Sequence, residues 1–168
     1  NLPVVGIEPS CLLTFTDEYQ KLKNVNNREK IKNKFYLLEE FILEQIKNDN
    51  KVKTNKFDQN VLIHGHCHQK SQDRMKGLTN LLSELKINNK MIDSSCCGMA
   101  GSFGYDSKNY EVSKKMANLS LIPAINNSDE ADFIIANGTS CRHQISDLSH
   151  KKGKHVSELL FKIFETVN

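Results

Sequence analysis

Apolar residues along this chain fall into two patterns: short unbroken runs, and longer stretches with spacings of three and four. The short runs are Val4-Val5-Gly6-Ile7, Val61-Leu62-Ile63, Lys90-Met91-Ile92 and Phe133-Ile134-Ile135-Ala136. Each reads as a strand of a few residues, the first stopped by Glu8-Pro9-Ser10. The spaced stretches read as helices. From Arg28 to Asn48, Ile31, Phe35, Leu38, Ile42 and Ile46 build one apolar stripe that faces a core. Further helices are expected from Leu12 to about Lys23, over 71–86 with Met75, Leu78, Leu81, Leu82 and Leu85, and over 110–125 with a bend at Pro123. A last one runs from Val156 to Val167, while the lysine-rich 48–60 segment reads as an exposed loop.

Strands alternating with helices predict an α/β fold: a Rossmann-like parallel sheet of about four strands with helices on both faces. Parallel strands end on one edge, which is where ligands bind in such sheets. Cys11, Cys67, Cys96, Cys97 and Cys141 each follow the C-terminal end of an expected strand. Residues scattered over most of the chain would therefore gather on one rim.

Composition narrows the class. A chain of 168 residues fits one domain, and its net charge of +3, from 23 basic and 20 acidic residues, is spread rather than blocked. That is a solvated surface and not a nucleic-acid footprint. No apolar run approaches the roughly 20 residues of a membrane span. Five cysteines, odd in number and unevenly spaced, point to metal or redox use in a reducing compartment rather than to a disulfide framework. The expected location is the cytoplasm, with peripheral attachment at the inner face of the membrane as a variant. The chain opens at Asn1 and enters an apolar run almost at once, so it is expected to be a piece of a longer protein.

The densest chemistry lies in Asp93-Ser94-Ser95-Cys96-Cys97-Gly98-Met99-Ala100-Gly101-Ser102-Phe103-Gly104. Adjacent cysteines cannot bridge each other without strain, so they are suited to hold something between them. Gly98, Gly101 and Gly104 let the backbone turn sharply and bring amides close to whatever the sulfurs hold. Their spacing is not that of the dinucleotide fingerprint. In His64-Gly65-His66-Cys67-His68, alternation puts the histidines on one strand face and Cys67 on the other. Ordinary hydrogen bonding is the expected fate of each of His64, His66 and His68. His66, His68 and His143 are the candidates for supporting the ligands or moving protons. His150 and His155 read as surface residues.

Two segments echo each other. Pro9-Ser10-Cys11 and Thr139-Ser140-Cys141 both place Ser-Cys after an apolar run, with an apolar residue four, a hydroxyl five and an aspartate six positions past the cysteine. The echo predicts that 1–20 is the tail of a first repeat and 61–150 a second repeat.

Cys67, Cys96-Cys97-Gly98 and Cys141 resemble the cysteine-rich CCG domain found in heterodisulfide reductase and in the iron-sulfur component of glycolate oxidase. Gly6-Ile7-Glu8-Pro9-Ser10-Cys11, His64-Gly65-His66-Cys67-His68-Gln69-Lys70, 96–105 and Gly138-Thr139-Ser140-Cys141-Arg142-His143-Gln144 are similar to the C-terminal region of large FAD-linked oxidases. The resemblance implies a single CCG-type domain over 1–168, with Cys67, Cys96, Cys97 and Cys141 as ligands of an iron-sulfur cluster and Cys11 as a weaker candidate. It implies flavin and ferredoxin-like domains in the same protein, FAD upstream, and oxidation of a D-2-hydroxy acid such as glycolate, D-lactate or D-2-hydroxyglutarate. Electrons would pass onward to an unidentified acceptor, and the chain alone would not oxidise a hydroxy acid. Two positions depart from the family pattern, which ends in Cys-x-x-Cys: Gln144 stands three places after Cys141 where a fifth cysteine is expected, and Thr14 likewise after Cys11. A four-thiolate cluster, zinc in a structural or docking module, and metal-free thiol chemistry are the readings that remain. A lone cysteine nucleophile explains least, because it leaves the convergence of the others unused.

Overall fold

The computed structural model describes residues 2–23, 33–48, 52–130 and 132–164. Its centre is a three-stranded parallel sheet, in which the strand over 61–64 lies between those over 89–91 and 133–136. Strand β3 (Val61–His64) pairs with β4 (Asn89–Met91) on one side and β5 (Phe133–Ala136) on the other, with Val61 opposite both Asn89 and Phe133. Beyond β5, a single parallel bridge joins Ile135 to Lys154.

Side-chain alternation along these strands builds two cores. Val61, Ile63, Phe133 and Ile135 face one way, against α3 (Leu38–Asn48), α5 (Met75–Glu84) and α9 (Val156–Phe164). Leu62, Ile134 and Ala136 face the other, against α6 (Tyr110–Leu119), α7 (Leu121–Asn126) and α8 (Thr139–Leu148). Helices thus cover both faces, and each fully buried leucine or isoleucine contributes on the order of 1.5–3 kcal/mol. Cys97 and Cys141 belong to the second core, so they fill apolar space as well as carrying thiols.

The expected first strand is not part of this sheet. Strand β1 (Val4–Gly6) pairs in parallel with β2 (Phe35–Leu37) in a separate two-stranded sheet, closed by Leu12, Leu13 and Leu37. The sheet of about four strands is therefore corrected to three, because β2 supplies β1 with its partner. Strand β2 lies where the spacing predicts a helix: Phe35 fits the helical stripe, yet Phe35-Tyr36-Leu37 is an aromatic, strand-favouring run ending at α3. The 28–32 part of that expected helix lies outside the described residues.

Other boundaries move for local reasons. The 12–23 helix is two short ones, α1 (Pro9–Thr14) and α2 (Glu18–Lys21). Ser71 ends α4 (Cys67–Ser71), and a turn through Asp73, at φ 53°, precedes α5. The 110–125 helix breaks at Ser120, with φ −152°, rather than bending at Pro123. The break puts Pro123 in the first turn of α7, where its missing N–H costs nothing. His155, expected at the surface, is buried, and its Nε2 hydrogen-bonds to Ile7 O at 2.8 Å, tying the small sheet to the large one.

Candidate metal centre

Because β3, β4 and β5 are parallel, their C-terminal ends share one edge. Strand β3 passes through Gly65 and His66 into α4, whose first residue is Cys67. The chain after β4 reaches Cys96 and Cys97 through Ser94 and Ser95, and β5 passes through Asn137 and Gly138 into α8, whose third residue is Cys141. Strand β1, two linking residues and α1 repeat that last arrangement, with Cys11 third in its helix. All five cysteines are free thiols.

The inner part of the centre is His64, Cys97 and Cys141. All three are buried, and one donor atom from each lies within 4.8 Å of the others. The Cys97 thiol interacts with those of Cys141 and Cys96, and the Gly98 amide donates to Cys96 Sγ at 3.3 Å. The neighbouring Cys141 thiol and burial push Cys97 up to about 12. Its contact with Cys97 drives Cys96 well above the usual thiol range, and burial raises Cys67. Thiols packed this way resist becoming anions beside one another. A thiophilic cation removes that repulsion by coordinating the sulfurs as their protons leave, so the donor set fits a metal or an iron-sulfur group.

Among the site residues expected from sequence, Cys96, Cys97 and Cys141 form a continuous line of thiol contacts. Cys67 stands at the exposed margin within electrostatic reach of Cys96, and Cys11 is exposed on α1, outside the buried trio. Gly98 takes φ +90°, and a β-carbon there would lie 2.2 Å from Ser113 O. Gly101 takes φ +69° in open space, whereas Gly104 is pressed against Met99 and Ser113.

The strand ends at His64, so the histidines do not share one face. His64 makes the hydrogen bond expected of it, 2.9 Å from Nδ1 to Ser94 Oγ, and its ring also stands among the thiols. Burial pushes it down to about 3, which keeps it a neutral imidazole with a lone pair available. His66 is buried and caps α4, its Nδ1 accepting from the His68 amide at 3.3 Å. It lies so close to Gly138 that a β-carbon at 138 would meet its Cδ2 at 2.3 Å and Cys141 Sγ at 3.2 Å. His68 is only partly buried, and His143 is exposed, with Nδ1 2.6 Å from Tyr105 Oη.

Several further residues support the centre. Glu8 accepts from Thr139 N at 2.9 Å and Thr139 Oγ1 at 2.8 Å. Glu39 is buried and accepts from Gln69 Nε2 at 2.7 Å and Asn137 Nδ2 at 3.0 Å, and burial raises its carboxyl to about 7. Gln144 is buried and donates to Ser113 O and Oγ at 3.2 and 2.9 Å, so it braces α6 against the centre. Of these, Gln144 alone is marked in the sequence, as a departure in a motif.

The model of the CCG cysteine-rich domain matches residues 61–146, half of the chain. The chain is 23% identical over 163 residues to a D-2-hydroxyglutarate dehydrogenase of Pseudomonas putida, a match covering 96% of this chain and 15% of that protein. It is 25% identical over 174 residues to the enzyme of the same name from Haemophilus influenzae, covering 98% and 16%. One component of the anaerobic glycerol-3-phosphate dehydrogenase of Escherichia coli K12 is 24% identical over 160 residues, covering 95% of this chain and 40% of that component. The chain therefore spans about a sixth of the D-2-hydroxyglutarate dehydrogenases and two fifths of the glycerol-3-phosphate dehydrogenase component. No solved structure matches it.

Proposed function

The chain belongs to the CCG cysteine-rich domain family, and from that membership we propose that it is the electron-transfer module of a larger flavin-linked dehydrogenase acting on a D-2-hydroxy acid. The observation that carries this reading is the buried trio of His64, Cys97 and Cys141 at the C-terminal sheet edge, continued outward by Cys96 and Cys67. Cys67, Cys96, Cys97 and Cys141 would hold an iron-sulfur group, with His64 as a nitrogen donor beside them. Such a group takes up and releases single electrons. The chain's own residues hold the thiols together, keep His64 neutral and shield Cys97 and Cys141 from water. Substrate oxidation belongs to a flavin domain, with ferredoxin-like centres between, all in one cytoplasmic protein. The β1–α1 segment is, in this reading, the tail of a first repeat, and Cys11 the last thiol of that repeat.

A second reading rests on the trio itself. One imidazole among cysteine thiols is a donor set that zinc takes in structural sites, which fix a surface and carry no electrons. Iron, zinc and acid-labile sulfide, measured on the chain purified without oxygen, decide between the two. Iron with stoichiometric sulfide supports electron transfer, and stoichiometric zinc alone supports the structural module. Turnover of a hydroxy acid by the isolated chain would contradict both.

A further inference from the structure

We propose that Lys70 is the positioning and charge-compensating residue of the thiol centre, an inference that rests on the metal-holding reading above. Lys70 lies one helical turn after Cys67 on α4, and its Nζ donates to Ser94 O and, at 3.4 Å, to Ser95 O. Those carbonyls immediately precede Cys96. The same ammonium lies within electrostatic reach of Cys141, Cys67 and Cys96, which come from three different stretches of chain. Its stem runs over Gly65, where a β-carbon would come within 2.7 Å of Lys70 Cε, so the side chain is guided to this place rather than swinging free. Ser94 also meets His64 through its hydroxyl. One lysine therefore ties the helix of Cys67 to the loop of Cys96 and Cys97, and through Ser94 to His64.

The charge matters as much as the hydrogen bonds. Four thiolates around a divalent ion leave net negative charge in a partly buried site, where Coulomb interactions are weakly screened. A fixed ammonium within electrostatic reach of three of the sulfurs, and also of the Asp93 carboxylate, offsets it. Outer partners of this kind typically change metal affinity about 10–100-fold when removed.

The two roles separate by substitution. Lys70→Arg keeps donor and charge, Lys70→Gln keeps a donor without charge, and Lys70→Met keeps neither. Zinc affinity is measured by competition with a chromophoric chelator on the reduced chain, and amide hydrogen exchange is followed over 94–98. Lys70→Arg is expected to bind zinc within a few-fold of the parent chain, Lys70→Gln about tenfold more weakly, and Lys70→Met more weakly still with faster exchange at 94–98. Parental affinity and exchange in both the Gln and Met variants would overturn the inference. Failure of the unsubstituted chain to bind either zinc or iron would instead sink the metal-holding reading and the charge role with it. The anchoring role is then decided by exchange alone: faster exchange in Lys70→Met than in Lys70→Gln supports it, and equal exchange refutes it.

Discussion

The Glu8 carboxylate accepts hydrogen bonds from both the amide and the hydroxyl of Thr139, the first residue of the helix that carries Cys141. Gly138, the residue preceding that helix, has no side chain to cap it, and none can be added because His66 occupies the space. The cap is supplied instead from the small sheet, 131 positions away in sequence. Loss of an ordinary helix cap costs about 1 kcal/mol. Glu8→Ala is expected to lower stability by about that much in urea denaturation, with the lost protection concentrated at 139–142 in hydrogen exchange.

Gly98 and Gly101 separate backbone strain from steric conflict. Both take positive φ, but a β-carbon at 98 would meet Ser113 O at 2.2 Å, whereas one at 101 would meet nothing within 4 Å. Gly101→Ala is expected to cost about 1 kcal/mol, the scale of placing alanine in a left-handed conformation. Gly98→Ala should exceed ~3 kcal/mol, because α6 must also withdraw from the loop. Thermal unfolding of the two variants side by side measures the difference.

Glu39 gives a pH signature. Its carboxyl is raised from the ordinary 4.5 to about 7 by burial. The folded state therefore holds a proton that the unfolded state has released between those values, and stability falls as pH rises through that window. The stabilisation is full below about 4.5 and lost above about 7, a range of order 3 kcal/mol. Glu39→Gln retains hydrogen bonding to Gln69 and Asn137 without the titration. Subtracting its denaturation free energies from those of the parent chain on either side of that window should isolate the slope, and parallel profiles would show that Glu39 does not titrate there.

Val61–His64 and Phe133–Ala136 are legible in the sequence because short apolar runs bounded by polar residues admit little else, and the cysteines follow directly from where those strands end. The pairing of β1 is not legible. Nothing in Val4-Val5-Gly6 says which strand it joins, and its partner at Phe35–Leu37 hides inside a stripe with helical spacing. The supporting residues are hidden for a related reason. Glu8, Glu39 and Lys70 act on groups 24 to 131 positions away, and no local pattern marks a carboxylate or ammonium as aimed at a distant group. His64 escapes a strand-based reading in part, because alternation carried past the end of the strand misplaces its neighbours.

Gln144 tests what a buried amide contributes between α8 and α6. Its amide donates twice to Ser113, both residues being buried. Gln144→Leu leaves Ser113 O and Oγ without that donor and should cost about 1–3 kcal/mol. Gln144→Asn, too short to reach, should cost a similar amount. Unchanged melting temperatures in both would show that the contact contributes nothing.

The central claim is that the thiols at the sheet edge form one metal-holding centre, and metal stoichiometry in single Cys→Ser variants tests it most directly. The chain is prepared without oxygen as Cys11→Ser, Cys67→Ser, Cys96→Ser, Cys97→Ser and Cys141→Ser, each with circular dichroism to confirm folding. Bound iron or zinc is expected to fall by at least half in the last four and to stay at the parental level in Cys11→Ser. Parental metal content in Cys97→Ser and Cys141→Ser, the two thiols buried beside His64, would contradict the account.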